Sequence, residues 1–285
     1  MNLIDFPSTG RKLYVPSSFA DCDRQQARDV SQVLVYYMMH QSVSYEDLLI
    51  DILVACTNMK HRPEKDDVAY IHIAQLSRLC DSWFEDVDGK KEVRLDHIDN
   101  PFTWLRTGLI KYHGPKDVFD NVTFGEYVDA MNYYSEFLDS QDVNYLDLLL
   151  ATLFRKNVPL SRKRKPYTKN DTVKKAKRFK RLCMGYRYGF FLYFASFQKY
   201  LSTAKIYWEG RELDLKIIFA KQEEGYKSTI PGLGMLSVQF DMAQSGVMGN
   251  ERELRERPFW EVIALMYDMK KRDLDEAAAQ KAAKP

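Results

Sequence analysis

The sequence predicts a mainly α fold: a helical domain with one or two small β-hairpins. Three observations predict it. Apolar residues recur at helical spacing along most of the 285 residues. Several of these runs open on capping signals, the fullest being Thr123-Phe-Gly-Glu126. Strand-like alternation is confined to short stretches near 92–112 and 206–219. A hydrophobic content of 45% is that of a chain with a core and excludes a disordered one.

Taken in order, residues 1–20 read as extended, with Pro7 and Pro16. A helix follows from about Asp23 to His40, its broad apolar face set by Val33, Val35, Tyr36 and Tyr37. Ser44 starts a second helix, with Asp47 placed three residues on as in a capping box. Leu48, Leu49, Ile52, Leu53 and Cys56 give that helix its face. Residues 60–67 form a charged loop broken by Pro63. A third helix spans about 68–83 on Ile71, Ile73, Leu76 and Leu79. Asp86-Val-Asp-Gly89 is a turn signal. A strand is expected in Glu92–Ile98, paired with a second near Leu109–Tyr112.

Thr123 caps a helix to about Leu138, and Asn144 caps another through Leu153. Here the chain echoes itself. Gln41–Leu49 and Gln141–Leu149 match at six of nine positions. A duplicated helical hairpin explains this; so does chance, helped by the shared demands of capped amphipathic helices. Thr172 then caps a cationic helix to about Met184, and an aromatic helix runs over 186–203. Ile206–Phe219 reads as a hairpin turning at Glu209-Gly210. Gly225–Gly234 is loop, and a helix covers about Leu236–Ser245. Pro258 suits the first turn of a last helix with Trp260, Ile263, Ala264 and Tyr267 on its apolar face. The Ala-rich tail from Ala277 is expected to fray.

Charge divides the chain. From Ser161 to Arg181, eleven residues are Lys or Arg and Asp171 is the one acid, so this strip carries +10. The whole chain carries +2, which leaves −8 for the remainder. The implied segments are an N-terminal helical lobe over 1–158, a basic linker and helix start over 159–181, and a C-terminal lobe over 182–285. They form either one compact unit or two lobes joined by the strip. Three readings fit the strip: a nucleic-acid site, a contact with an acidic protein, or a solvated linker. The candidate anion-binding residues are Arg162, Lys163, Arg164, Lys165, Lys174, Lys175, Lys177 and Arg178, with Tyr167 and Phe179 available to stack on bases.

Catalytic chemistry has no comparable signal. No phosphate-cradling Gly-rich loop, dinucleotide fingerprint or nucleophile elbow is present. The histidines His40, His61, His72, His97 and His113 never share a helix face at i, i+4 as two metal ligands would; His97-Ile-Asp99 has the residue types to hold a metal but reads first as a surface turn. Cys22, Cys56, Cys80 and Cys183 stand far apart and read as buried thiols of a reducing compartment. Asp66-Asp67 and Glu223-Glu224 read as solvated surface. The most apolar stretch, Tyr188–Phe197, is shorter than a bilayer requires, and the first residues lack a secretory leader pattern. The expectation is a protein that is not an enzyme, with no cofactor, metal or membrane partner.

Several segments in order resemble tail-region proteins of Bacteroidota bacteriophages and prophages. They are Tyr14-Val-Pro-Ser-Ser-Phe19; His113-Gly-Pro-Lys-Asp117; Thr123-Phe-Gly-Glu-Tyr-Val-Asp-Ala130; Leu148–Arg155; Tyr188–Tyr200 with its Tyr-Trp-Glu-Gly hairpin; Gly232–Ser237; Ala243–Gly249; and Pro258–Tyr267. That family is associated with genes near the tape-measure protein, and Pro258-Phe-Trp-Glu-Val-Ile263 resembles the closing helix of tail assembly chaperones. The resemblance implies binding: a helical protein that shields an aggregation-prone partner or joins the tail. It implies an apolar docking helix carrying Phe259, Trp260, Ile263 and Tyr267, and a place in the host cytoplasm during assembly or in the virion tail. The expected partners are phage tail proteins, the tape-measure protein among them. A second copy of the chain and nucleic acid are the other candidates.

Overall fold

The computed structural model describes residues 1–6, 10–40, 43–59, 62–65, 68–161, 163–219 and 235–283. Among them are eleven helices and four separate two-stranded antiparallel hairpins. The fold is therefore mainly α, as the apolar spacing predicts, with more hairpins than expected.

Strands β1 (Asn2–Phe6) and β2 (Arg11–Val15) pair with Asn2 opposite Val15. Helix α1 (Arg24–Met39) opens on a full capping box from Asp23 and Gln26, and α2 (Tyr45–Thr57) on the Ser44 hydroxyl. Helix α3 (Val68–Ser77) tightens into a 3₁₀ segment over Arg78–Trp83, so the single helix expected over 68–83 is two.

The strand expected over 92–98 stops at Val93 and pairs backwards. β3 (Phe84–Val87) and β4 (Lys90–Val93) close on Asp88-Gly89, both at positive φ. The strand near 109–112 likewise takes its own neighbour. β5 (Trp104–Thr107) pairs with β6 (Ile110–His113) across Gly108, which is also at positive φ. Short local turns thus replace the long-range pairing.

Helix α4 (Phe124–Ser140) starts on the predicted Thr123–Glu126 box. Helix α5 (Asn144–Leu153) does not use Asn144 as its cap: Asn144 is its first helical residue, and the Asp142 carboxylate accepts its N–H at 2.9 Å. Thr172 similarly begins α6 (Thr172–Phe179) instead of capping it, and that helix stops short of Met184. Helix α7 (Met184–Thr203) follows. The hairpin β7 (Lys205–Trp208) and β8 (Arg211–Asp214) turns at Glu209-Gly210 as predicted. It ends early because the Asp214 carboxylate caps the Lys216 N–H at 3.1 Å, starting the short helix α8 (Lys216–Phe219). The loop expected over 225–234 lies outside the described residues. Helices α9 (Met235–Ser245) and α10 (Glu251–Glu256) precede α11 (Phe259–Ala282), which absorbs most of the expected fraying tail. Alanine is the best helix former, so the Ala-rich stretch extends the helix.

Helix α7 is the centre of the core. Thirteen of its twenty residues are buried, and only Lys199, Ser202 and Thr203 at its C-terminal end are exposed. Helix α1 packs along it most closely. Gly185 makes that approach possible: a Cβ there would collide with the Arg28 backbone carbonyl. Aromatic contacts join the other elements to α7. Phe197 stacks on Phe119 at 4.2 Å between ring centres, and Phe190 meets Phe154 edge-on at 4.9 Å. One buried cluster takes side chains from Val15 to Met266, drawing on both segments 1–158 and 182–285. The two echoed segments each enter the second helix of a hairpin, α1–α2 and α4–α5. Asp147 of the second copy forms a buried ion pair with Arg187 of α7 at 2.7 Å; its counterpart Asp47 pairs with Arg62. Burial outweighs the Arg187 charge and pushes the Asp147 carboxyl upward. Of the four thiols expected to be buried, Cys56 and Cys80 are; Cys22 is half-buried and Cys183 exposed.

Candidate anion-binding cleft

The basic strip is fastened to the body. Beyond α5 the chain forms a narrow ladder. Arg155 exchanges backbone hydrogen bonds with His113 of β6 at 2.7 and 2.9 Å. Lys165 N–H returns to the Lys156 carbonyl at 2.8 Å, and Val158 N–H reaches the Lys163 carbonyl at 2.9 Å. Two buried carboxylates of α4 hold it from beneath. Glu126, fully buried, accepts from the Thr123 N–H at 2.9 Å as part of its cap, and from Arg155 Nη2 at 3.0 Å. Arg164 lies 3.8 Å from the same carboxylate and donates to the Leu153 and Asn121 carbonyls. Asp129, one turn along, accepts from the Tyr167 hydroxyl at 2.8 Å and pairs with Lys169 at 3.2 Å and with Arg255. A buried carboxylate needs such partners, and the strip supplies them.

This anchoring leaves a concavity. A cleft of about 330 Å³ opens between the ladder, the 165–171 segment and α6. Six cations line it: Arg155, Lys156, Lys165, Lys174, Lys175 and Arg178. Asp171 is the one carboxylate in its wall, and it accepts from the Thr168 hydroxyl at 2.7 Å. Among the described residues, no ion pair forms to any of the four cleft lysines. Lys175 is half-buried, and burial lowers its ammonium to about 8, with the Arg155 charge adding to the fall. Burial likewise brings the Arg164 guanidinium down to about 10. Arg178 is aimed by its bond to the Tyr112 hydroxyl at 3.0 Å. Converging like charges repel, and the low-dielectric wall strengthens the repulsion, so the cleft favours an anion. A neighbouring, wider cleft of about 690 Å³ against α10 sets Glu251 and Glu256 against Arg155, Lys169, Arg252 and Arg255, a weaker cationic bias.

The predicted anion-binding residues divide accordingly. Lys165, Lys174, Lys175 and Arg178 meet in the cleft. Lys163 and Lys177 are exposed and outside its wall. Arg164 must be corrected: its guanidinium is spent on the fold, with a side chain 6% exposed. Arg162 lies outside the described residues. Arg155, Lys156 and Tyr112 were not predicted. The pairing of β6 with the end of α5 brings them in, and no local pattern announces it.

The aromatic and apolar candidates are also corrected. Phe179 is in the core and Tyr167 is held by Asp129, so neither is free to stack on a base. Phe259 and Ile263 are buried, closed to a docking partner, because α11 uses that face to pack on Tyr127 and Phe197. Trp260 and Tyr267 are half-buried, and the Trp260 indole N–H is taken by the Val118 carbonyl at 2.9 Å. His97 is no surface residue. It stacks on Phe19 and meets Ser196 Oγ through Nδ1 at 2.9 Å, both side chains buried. Burial drives its pKa down to about 4. Asp66-Asp67 and Glu223-Glu224 lie outside the described residues. Among those described, no cluster of three or more His, Cys, Asp or Glu is placed to hold a metal, and no helix is long and apolar enough to cross a membrane.

The chain matches no protein-family model, no curated protein and no solved structure.

Proposed function

We propose that this chain is a binding protein of phage tail assembly, acting through contact with an anionic partner at the cationic cleft. One observation carries the reading: six cations from three segments converge on one concavity that holds a single carboxylate. Such a site attracts its partner over a distance and fixes its register at close range. It needs no reacting group, so the reading is of a binder and not an enzyme. The setting rests on the resemblance of the ordered segments to tail-region proteins. It is the host cytoplasm during assembly, or the tail itself, with the tape-measure protein as the partner the resemblance favours. The burial of Phe259 and Ile263 argues that the contact is made by charge and not by the apolar face of α11.

A second reading, nucleic-acid binding, draws on the same cations. It loses the aromatic contacts that would grip bases and rests on phosphate contacts alone. Mass spectrometry of purified particles beside infected-cell lysate tests the setting. Copies at a regular number in particles make this a tail component. Presence in lysate alone, with tail proteins co-purifying, makes it an assembly factor. Absence of every tail component from the purified complex removes the tail reading. Salt-sensitive capture that is lost in Lys174→Glu/Arg178→Glu places the contact at the cleft.

A further inference from the structure

The strip's charge alone does not say what kind of anion the cleft accepts; its geometry does. Lys165, Lys174 and Lys175 present ammonium groups with no carboxylate partner, and Arg178 is oriented from behind by Tyr112. These residues line one concavity from the ladder and from two successive turns of α6. A lone carboxylate carries one charge and suits one bidentate partner. It would leave most of these cations uncompensated. The carboxylates of an acidic segment sit on separate stems with one charge each, so no one of them answers several converging donors. A phosphate group concentrates nearly two charges and three acceptor oxygens on one compact centre. That matches several converging donors in a small space. The volume is near the lower end for ligand pockets and the cleft is open to solvent, so the phosphate group lodges in it while the rest of the ester lies outside.

We propose that the cleft is a phosphate site, which takes the phosphate group of a phosphate ester with Lys165, Lys174, Lys175 and Arg178 around its oxygens. The inference rests on the reading of the cleft as the working surface, but selects a phosphate-bearing partner there over the acidic protein surface that a direct tape-measure contact would need. The group so selected is a monoester, carried either by a free nucleotide or by the 5′-phosphorylated end of a nucleic-acid strand; the diesters within a strand bring one charge and two free oxygens each.

The test is calorimetry on the full chain at low ionic strength with five probes: inorganic phosphate, pyrophosphate, a nucleoside diphosphate, a short 5′-phosphorylated single-stranded oligonucleotide and an oligoglutamate peptide. Pyrophosphate and the nucleoside diphosphate are expected to bind, with affinity falling as salt rises. In Lys174→Met/Lys175→Met the affinity falls by about tenfold or more, the loss of one or two charge-assisted bonds. Lys180→Met/Arg181→Met, which removes equal charge outside the cleft wall, leaves it nearly unchanged. Oligonucleotide binding much tighter than nucleotide assigns the ester to a strand; the reverse assigns it to a free nucleotide. Oligoglutamate binding without any phosphate probe overturns this inference and leaves the cleft as an acidic-protein site. Failure of all five overturns both. An equal loss in the two double variants also overturns it, since that is the signature of diffuse charge. Circular dichroism and thermal melting of each variant separate lost binding from lost folding.

Discussion

Lys175 pays for its place in the cleft with stability, and replacing it measures how much. Burial and the Arg155 charge bring its ammonium from 10.5 to about 8. At about 1.4 kcal/mol per pH unit, that fall corresponds to roughly 3 kcal/mol against the charged form. Partial exposure lets water and salt remove part of it, leaving roughly 1–2 kcal/mol. Lys175→Met keeps the stem and discards the charge. The variant should therefore be more stable than the wild type at pH 7 by that amount, a rise of roughly 2–8 °C in Tm. The sign with pH follows from linkage. Below pH 8 the lysine is protonated folded and unfolded, and the folded chain bears the full penalty. Between pH 8 and 10.5 the folded chain has shed a proton that the unfolded chain still holds. Wild-type stability then rises relative to the variant until the gap closes. The assay is chemical denaturation of both proteins at pH 7, 8.5 and 10. A variant less stable at pH 7, or a gap that does not narrow toward pH 10, refutes the reasoning. The same substitution should weaken anion binding, the usual exchange of stability for a strained functional site.

Three further outcomes follow from the packing. Glu126→Gln retains a capping residue but removes the buried charge opposite Arg155 and Arg164, and should cost about 3–5 kcal/mol in denaturant unfolding. A loss under 1 kcal/mol would mean those guanidiniums find water. Gly185→Ala forces α7 away from the Arg28 carbonyl and should cost about 1–3 kcal/mol, read as a lower unfolding midpoint. His97 is held well below 6.5, at about 4, so the stability it secures is full above pH 6.5 and is lost as pH falls through about 4. His97→Asn should flatten that part of the acid-unfolding profile, and an unchanged slope would assign it to carboxylates instead.

Much of the helical frame is legible because its signals are local. Thr123 and Glu126 are three residues apart and form the cap their spacing predicts, and Ser44 caps α2 with its own side chain. The aromatic-rich, uncharged run Tyr188–Phe197 of α7 announces burial on every face over that stretch. The misread strands have a local cause too: Asp88-Gly89 and Gly108 close hairpins tighter than the alternation suggests. What the chain conceals is long-range. Lys174, Lys175 and Arg178 are visible as charge, but whether an arginine serves the fold or the cleft depends on distant partners. Arg164 is taken by Glu126 and two carbonyls, while Arg178 is only steadied by a tyrosine. Phe259 and Ile263 fit an apolar docking face as well as a core; only the packing against Tyr127 and Phe197 decides between them.

Amide hydrogen exchange on the wild-type chain, alone and with the partner that co-purifies with it, tests the central claim most directly. Binding at the cleft predicts new protection over 155–156, 163–171 and α6, with α11 unchanged. Protection confined to α11, or unchanged exchange along the strip, would contradict a cationic working surface.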